Sequence, residues 1–275
     1  MRKNINIATI LPYKENYTFS KAAAASLWVS EFYKYSKFKN NNFIFGSTDS
    51  TDYLSKNYIN INVNNLKSKL SSSTIEYCKQ FIKKSKKFNF SLIEIHNRPL
   101  VYTYLSQKIN TKYVLYFHND PLSMKGSKTL HERQGLINNI DKIIFVSKWV
   151  QKRFFQNLDQ KLINKTEVVY PSIHPERKLF KKKNRIVFVG KLNPSKGYDI
   201  YRDAITKILN EFSNWKAFSI GDESRNKPII KHNKHEELGY LNHKEVLDFL
   251  KYSEIAVVPS RWEEPFGRTA LESSS

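Results

Sequence analysis

The sequence predicts an α/β protein with mainly parallel sheet, arranged in two units. Short β-branched runs alternate with amphipathic stretches, which is the pattern of βαβ construction. The 275 residues exceed the roughly 100–200 typical of one domain. A stretch rich in proline and lysine, PSIHPERKLFKKKN from Pro171, interrupts the alternation. It reads as a linker, giving a first unit over 1–172, a linker over 173–183 and a second unit over 184–275.

In the first unit the expected strands are Ile5–Leu11, Phe43–Phe45, Tyr58–Val63, Leu92–His96, Tyr113–Phe117, Lys142–Val146 and Glu167–Tyr170. Helices are expected over Ser20–Tyr35, whose alanines Ala22 to Ala25 allow close packing on a sheet, and over Thr74–Lys86 and Ser147–Gln156. Lysines close the second of these, where they suit a helix C-terminus. Ser147 is a fitting cap for the third. In the second unit strands are expected over Arg185–Val189, Trp215–Ile220 and Ile255–Val258. The helix Asp203–Phe212 should bury Ala204, Ile205, Ile208, Leu209 and Phe212. A helix over His243–Tyr252 should turn Val246, Leu247, Phe249 and Leu250 inward. A last helix starts near Gly267, and the second unit is expected to be incomplete at Ser275.

Composition narrows the function. Hydrophobic residues make up 40% and aromatics 14%, enough for a packed core. No run approaches the ~18–20 apolar residues of a membrane span. The one cysteine, Cys78, excludes an internal disulfide framework and a cysteine-based zinc site, and a reducing cytoplasm is the compartment it suits. The net charge of +21 leaves three readings open. They are neutralisation of nucleic-acid phosphates, attraction to an anionic membrane or acidic substrate, and a Lys/Asn/Ile-rich composition without functional meaning.

Two motifs carry chemistry. GKLNPSKG, Gly190 to Gly197, follows a strand and places Lys191 and Lys196 at its C-terminal end, where they can neutralise a diphosphate. It is neither a Walker A loop nor a dinucleotide fingerprint, and a basic turn in a basic protein fits it too. PSRWEEPFGRTALE places Glu264 in a loop and Glu272 eight residues on in a helix, with Phe266, Gly267 and Arg268 between. Gly267 allows close backbone approach, and a helix start is suited to an anion. A charged surface helix with a polar entry loop is the alternative. LIEIHNRP and VLYFHNDP each end a strand with a histidine, His96 and His118, at the edge where open α/β sheets bind ligands. The remaining histidines have no metal-binding spacing, and His232 and His235 read as a solvated loop.

Taken in order, G-K-L-x-P-x-K-G, Gly221-Asp222-Glu223, Gly239-Tyr240-Leu241 and E-P-F-G-x-T-x-L-E resemble glycosyltransferase family four. These are retaining enzymes of the GT-B fold, with two Rossmann-like domains facing a cleft. The resemblance covers Arg185 to Glu272 well and the first half more loosely. It implies that Lys191 and Lys196 hold the donor diphosphate and that Lys196 stabilises the leaving group. Gly190, Asp222, Phe266, Gly267 and Arg268 would line the donor, Glu264 would contact its sugar, Glu272 its ribose, and His118 would lie over the sugar. The segment after Gly221, where the family often has a second glycine and this chain has Ser224, would lie near the base. The family's usual arginine is Lys191 here, which keeps charge and loses the bidentate fork. The glycine-rich loop after the first strand is replaced by Tyr17, Thr18, Phe19 and Ser20.

The expected activity is transfer of a sugar from a nucleotide-diphosphate sugar to a cell-envelope glycan or lipid, with no metal and no cofactor beyond that co-substrate. The expected place is the cytoplasm, with peripheral contact to the inner face of an anionic membrane. A basic nucleic-acid-binding α/β protein, or a catalytically inert fragment, are the alternatives.

Overall fold

The computed structural model describes residues 5–63, 72–175, 178, 180–223 and 228–275. Ser224 lies outside them. The chain divides into two compact units, Met1–Pro171 and Ser172–Ser275.

In the first unit seven strands among the described residues are β1 (Ile7–Ile10), β2 (Asn42–Gly46), β3 (Tyr58–Asn60), β4 (Leu92–His96), β5 (Lys112–Phe117), β6 (Lys142–Phe145) and β7 (Thr166–Val168). All pairings are parallel, in the order β3-β2-β1-β4-β5-β6-β7. The helices are α1 (Ala24–Tyr35), α2 (Ser73–Ser85), α3 (Pro99–Leu105), α4 (Leu130–Asn139) and α5 (Lys148–Phe154). Strand order reverses between β1 and β4, which puts the ligand-binding crevice of such a sheet at the ends of those strands.

The second unit has β8 (Lys183–Val189), β9 (Lys216–Ile220), β10 (His235–Gly239) and β11 (Ser253–Val257), parallel in the order β10-β9-β8-β11. Its helices are α6 (Tyr198–Glu211), α7 (His243–Lys251) and α8 (Arg268–Ser273). Here the order reverses between β8 and β11.

Local chemistry explains where the elements begin. Ser147 caps α5 by accepting from Val150 N. Thr129 and Glu132 form a capping box that starts α4, and Asn242 and Glu245 form another at α7. The first helix starts at Ala24 rather than Ser20. Ala23 offers no side-chain cap, and the loop supplies one instead, with Glu15 Oε1 accepting from Ala25 N at 3.2 Å. Of the four alanines only Ala25 is buried.

The helix expected from Asp203 begins five residues earlier. The expected Ile205 and Leu209 are buried, together with Tyr198 and Tyr201, while Ala204 is exposed and Phe212 is 48% exposed. Burial of the two tyrosines is possible because their hydroxyls are met. Tyr198 donates to Ser219 Oγ at 3.1 Å and Tyr201 to Phe218 O at 2.9 Å. His235 is likewise not in a solvated loop. It opens β10, half-buried, with its Nε2 2.8 Å from Ser219 Oγ.

The largest fully buried side chains are mainly tyrosines and phenylalanines, which places them in the cores. No helix of the described residues is long and apolar enough to cross a membrane.

Candidate functional site

The loops that leave β8 and β11 lie side by side because those strands are neighbours at the switch point of the second sheet. Backbone bonds join them. Arg261 N and Trp262 N both donate to Ser195 O, at 3.1 and 3.4 Å. Arg261 also pairs with Asp199 at 2.5 Å. Gly197 has φ +72°, and a Cβ there would sit 2.0 Å from Pro259 O, so only glycine fits where the loops cross.

Asn193 organises the first loop. Its Oδ1 accepts from Lys196 N at 3.2 Å and from Ser195 Oγ at 2.8 Å, while its Nδ2 donates to Glu223 Oε2 at 2.9 Å. Leu192 N donates to Asp222 O, and Gly190 N to Ile220 O, so the β9 loop braces the same loop. At Gly221, φ +140°, a Cβ would lie 1.9 Å from Gly190 O, which again demands glycine.

The result is that Lys196 meets Glu264. The ammonium lies 2.5 Å from Glu264 Oε1, which also accepts from Ser260 Oγ at 2.7 Å. The Lys196 ammonium sits 5.2 Å from the ring centre of Trp262. Both members of the pair are half-buried, 28% and 24% exposed at the side chain. Burial pushes the Glu264 carboxyl up, but the bonds from Lys196 and Ser260 outweigh it and hold the group below its usual 4.5. Lys191 and Asp222 are exposed at the rim. Gly267, φ +79°, precedes α8, and Phe266 and Arg268 flank it, half-buried.

Glu272 belongs to a second cluster. Its Oε1 accepts from His243 Nε2 at 2.9 Å and from Arg268 Nε at 3.1 Å, and its side chain is 7% exposed. Burial pushes this carboxyl up as well, and the bond from His243 and the charge of Arg268 bring it below 4.5. Nη1 of Arg268 is buried with no hydrogen-bond partner among the described residues. The residue read for the ribose is therefore engaged by two basic side chains from α7 and α8.

Both depressed carboxylates favour the folded state fully above about pH 4.5, and that contribution is lost as pH falls through their lowered values. Urea unfolding followed from pH 7 to pH 3 is expected to show stability falling below about 4.5, with the loss reduced in a Glu264→Gln, Glu272→Gln double variant.

In the first unit, His96 ends β4 and His118 follows β5. Asn97 adopts φ +54° and its Oδ1 accepts from His118 N at 2.8 Å and Asn119 N at 3.2 Å. His96 Nδ1 stands 2.8 Å from His118 Nε2. The loop that replaces the glycine-rich segment is tied down differently. Phe19 N donates to Asp52 O and Ser20 N to Asp52 Oδ2, while Tyr17 is buried and stacked on Tyr58.

Sequence reasoning placed Lys196, Glu264, Phe266, Gly267 and Arg268 in one neighbourhood of the second unit, as the structure does. It did not find Asn193, Ser260 or His243. Asn193 had a legible signal, an Asn before Pro at a helical turn, which marks a cap. Ser260 lies inside the motif already read, four residues before its partner Glu264, whereas His243 had no signal, because its partner Glu272 is 29 residues away.

Residues 169–275 match the family Glycosyl transferases group 1. An uncharacterized glycosyltransferase of Methanocaldococcus jannaschii is 36% identical over 178 residues, covering 61% of this chain and 48% of that protein. The chain spans about half the length of the curated relatives it matches. Among solved structures, HepE of Anabaena in complex with UDP-glucose superposes with a TM-score of 0.73 at 15% identity, over 97% of this chain and 77% of that one. A sucrose-phosphate synthase from Thermosynechococcus elongatus gives a TM-score of 0.72 at 14% identity, over 98% of this chain and 78% of that one. The second unit thus matches group 1 glycosyl transferases, and the two-unit parallel α/β architecture is that of GT-B structures.

Proposed function

We propose that the protein transfers a sugar from a nucleoside-diphosphate sugar, with the diphosphate held at the loops after β8 and β11. One observation carries this reading: Lys196 and Glu264, 68 residues apart, are joined at the switch point of the second sheet. An ammonium has three donors, so Lys196 can keep Glu264 and also hold a phosphate oxygen. Lys191 at the rim adds charge, and Gly190, Asp222 and the Phe266–Arg268 segment complete the donor site. Lys196 then stabilises charge on the departing diphosphate. Glu264, kept ionised by Lys196, contacts the donor sugar, Glu272 contacts the ribose, and His118 is assigned to the donor sugar on the family resemblance.

In this reading transfer retains configuration. The departing diphosphate helps take the acceptor's proton, and the protein supplies positioning and electrostatics, with no step assigned to a metal. The acceptor is a cell-envelope glycan or lipid. A net charge of +21 and the cluster Lys83, Lys84, Lys86 and Lys87 beside Ile59 support contact with an anionic membrane surface. The UDP-glucose bound by HepE supports a nucleotide-sugar donor.

The test is a thermal-shift panel of UDP-, GDP- and ADP-sugars. A ligand that binds only the folded state raises Tm with saturation, by about 2.7 kcal/mol of stability at 100-fold excess over Kd. At least one sugar nucleotide is expected to raise Tm. No shift with any of the three would overturn the reading.

A further inference from the structure

We propose that His96 fixes the tautomer of His118, so that His118 carries its proton on Nδ1 while its Nε2 accepts from His96. His96 is 1% exposed. Its ring stacks on Tyr116, centroids 4.4 Å apart at 8°, and lies 5.6 Å from Trp28. Its Nδ1 faces His118 Nε2 at 2.8 Å, so one proton lies between the rings. The other nitrogen, Nε2, is buried with no hydrogen-bond partner among the described residues.

Burial and the adjacent His118 ring hold the His96 imidazole neutral, well below its usual range. A neutral His96 has one ring proton to place. On Nε2 it would be a buried donor with no acceptor, and orphaned buried donors are rarer than under-satisfied acceptors. On Nδ1 it is donated to His118. His118 Nε2 is then the acceptor, and the proton of neutral His118 sits on Nδ1.

The surroundings hold this geometry. Asn97 anchors the backbone of His118 and Asn119 through one side-chain oxygen. Trp28 meets the His118 ring edge-on, 5.3 Å between centroids at 81°. Tyr116, which backs His96, donates to Glu94 Oε1 at 3.1 Å, and Thr9 donates to Glu94 Oε2 at 2.7 Å. His96 is thus a positioning residue, acting through His118. Its effect on turnover rests on the proposed role of His118 at the donor sugar, whereas the tautomer itself does not.

Two-bond ¹⁵N–¹H spectra of the ¹⁵N-histidine-labelled 275-residue protein, with His118 assigned from a His118→Gln variant, read the tautomer directly. The neutral wild-type His118 is expected to be mainly Nδ1–H. His96→Phe, which keeps a stacking ring and removes the donor, is expected to move His118 toward Nε2–H. A wild-type His118 that is mainly Nε2–H, or evenly mixed, overturns the proposal, and this measurement needs no His96 variant. In turnover, His96→Phe is expected to lower kcat about 10-fold or more with KM little changed, the scale on which orienting partners of ligating histidines act. A protein with no transferase activity but an Nδ1–H His118 would refute the proposed function and leave this assignment standing.

Discussion

Lys196→Ala is expected to lower kcat by about 10²–10³, or ~2.7–4 kcal/mol, the loss that follows removal of one preorganised donor from a developing negative charge. Two effects act together. The leaving diphosphate loses its nearest ammonium, and Glu264 loses the partner that holds its carboxyl low. Stability should change less than activity. The Glu264 side chain is 24% exposed and keeps Ser260, so the surviving carboxylate is partly hydrated. The loss stays below the ~3–5 kcal/mol of a broken, fully buried pair. Lys196→Arg should not restore full rate, because a planar fork cannot reproduce a compact ammonium over Trp262. Initial-rate kinetics beside a melting curve check this. Near-normal kcat in Lys196→Ala would remove Lys196 from the chemistry.

Gly197→Ala is expected to lower stability strongly. The residue combines a left-handed φ of +72° with a Cβ position 2.0 Å from Pro259 O, a backbone atom with no rotamer to escape through. Strained backbone and overpacking each cost about 1–3 kcal/mol. In a domain near 100 residues each kcal/mol moves Tm by about 4–8 °C. The shift that relieves the clash must also separate the Ser195 and Arg261–Trp262 backbone, which are bonded to each other. Gly197→Ala should therefore lose sugar-nucleotide binding as well as stability. Gly239→Ala is the control for backbone strain alone, since it has φ +67° and nothing within 4 Å of the added carbon. Scanning calorimetry of both variants checks this, and equal melting temperatures would contradict the clash argument.

How much of this was legible in the sequence depends on the range of the forces involved. Strands such as Leu92–His96 and Lys112–Phe117 were readable because burial on both faces of a parallel sheet imposes continuous apolar runs. The convergence of Lys196 and Glu264 was readable because both sit in loops after adjacent strand ends. The start of α6 was not, since a tyrosine becomes a core residue only when a distant acceptor meets its hydroxyl, as Ser219 and the Phe218 carbonyl do for Tyr198 and Tyr201. His235 was misread for the same reason, its partner Ser219 lying on the neighbouring strand. The pairing of Glu272 with His243 joins two helices 29 residues apart, and no local pattern announces it.

The central claim is that one diphosphate site is built from the loops after β8 and β11 and depends on Lys196. Isothermal titration of the 275-residue protein with UDP, GDP and ADP, each against its phosphate-free nucleoside, tests it most directly. At least one diphosphate should bind more tightly than its nucleoside, and Lys196→Ala should weaken that binding at least tenfold, about 1.4 kcal/mol. Equal affinity for nucleoside and diphosphate, or binding untouched by Lys196→Ala, would contradict it.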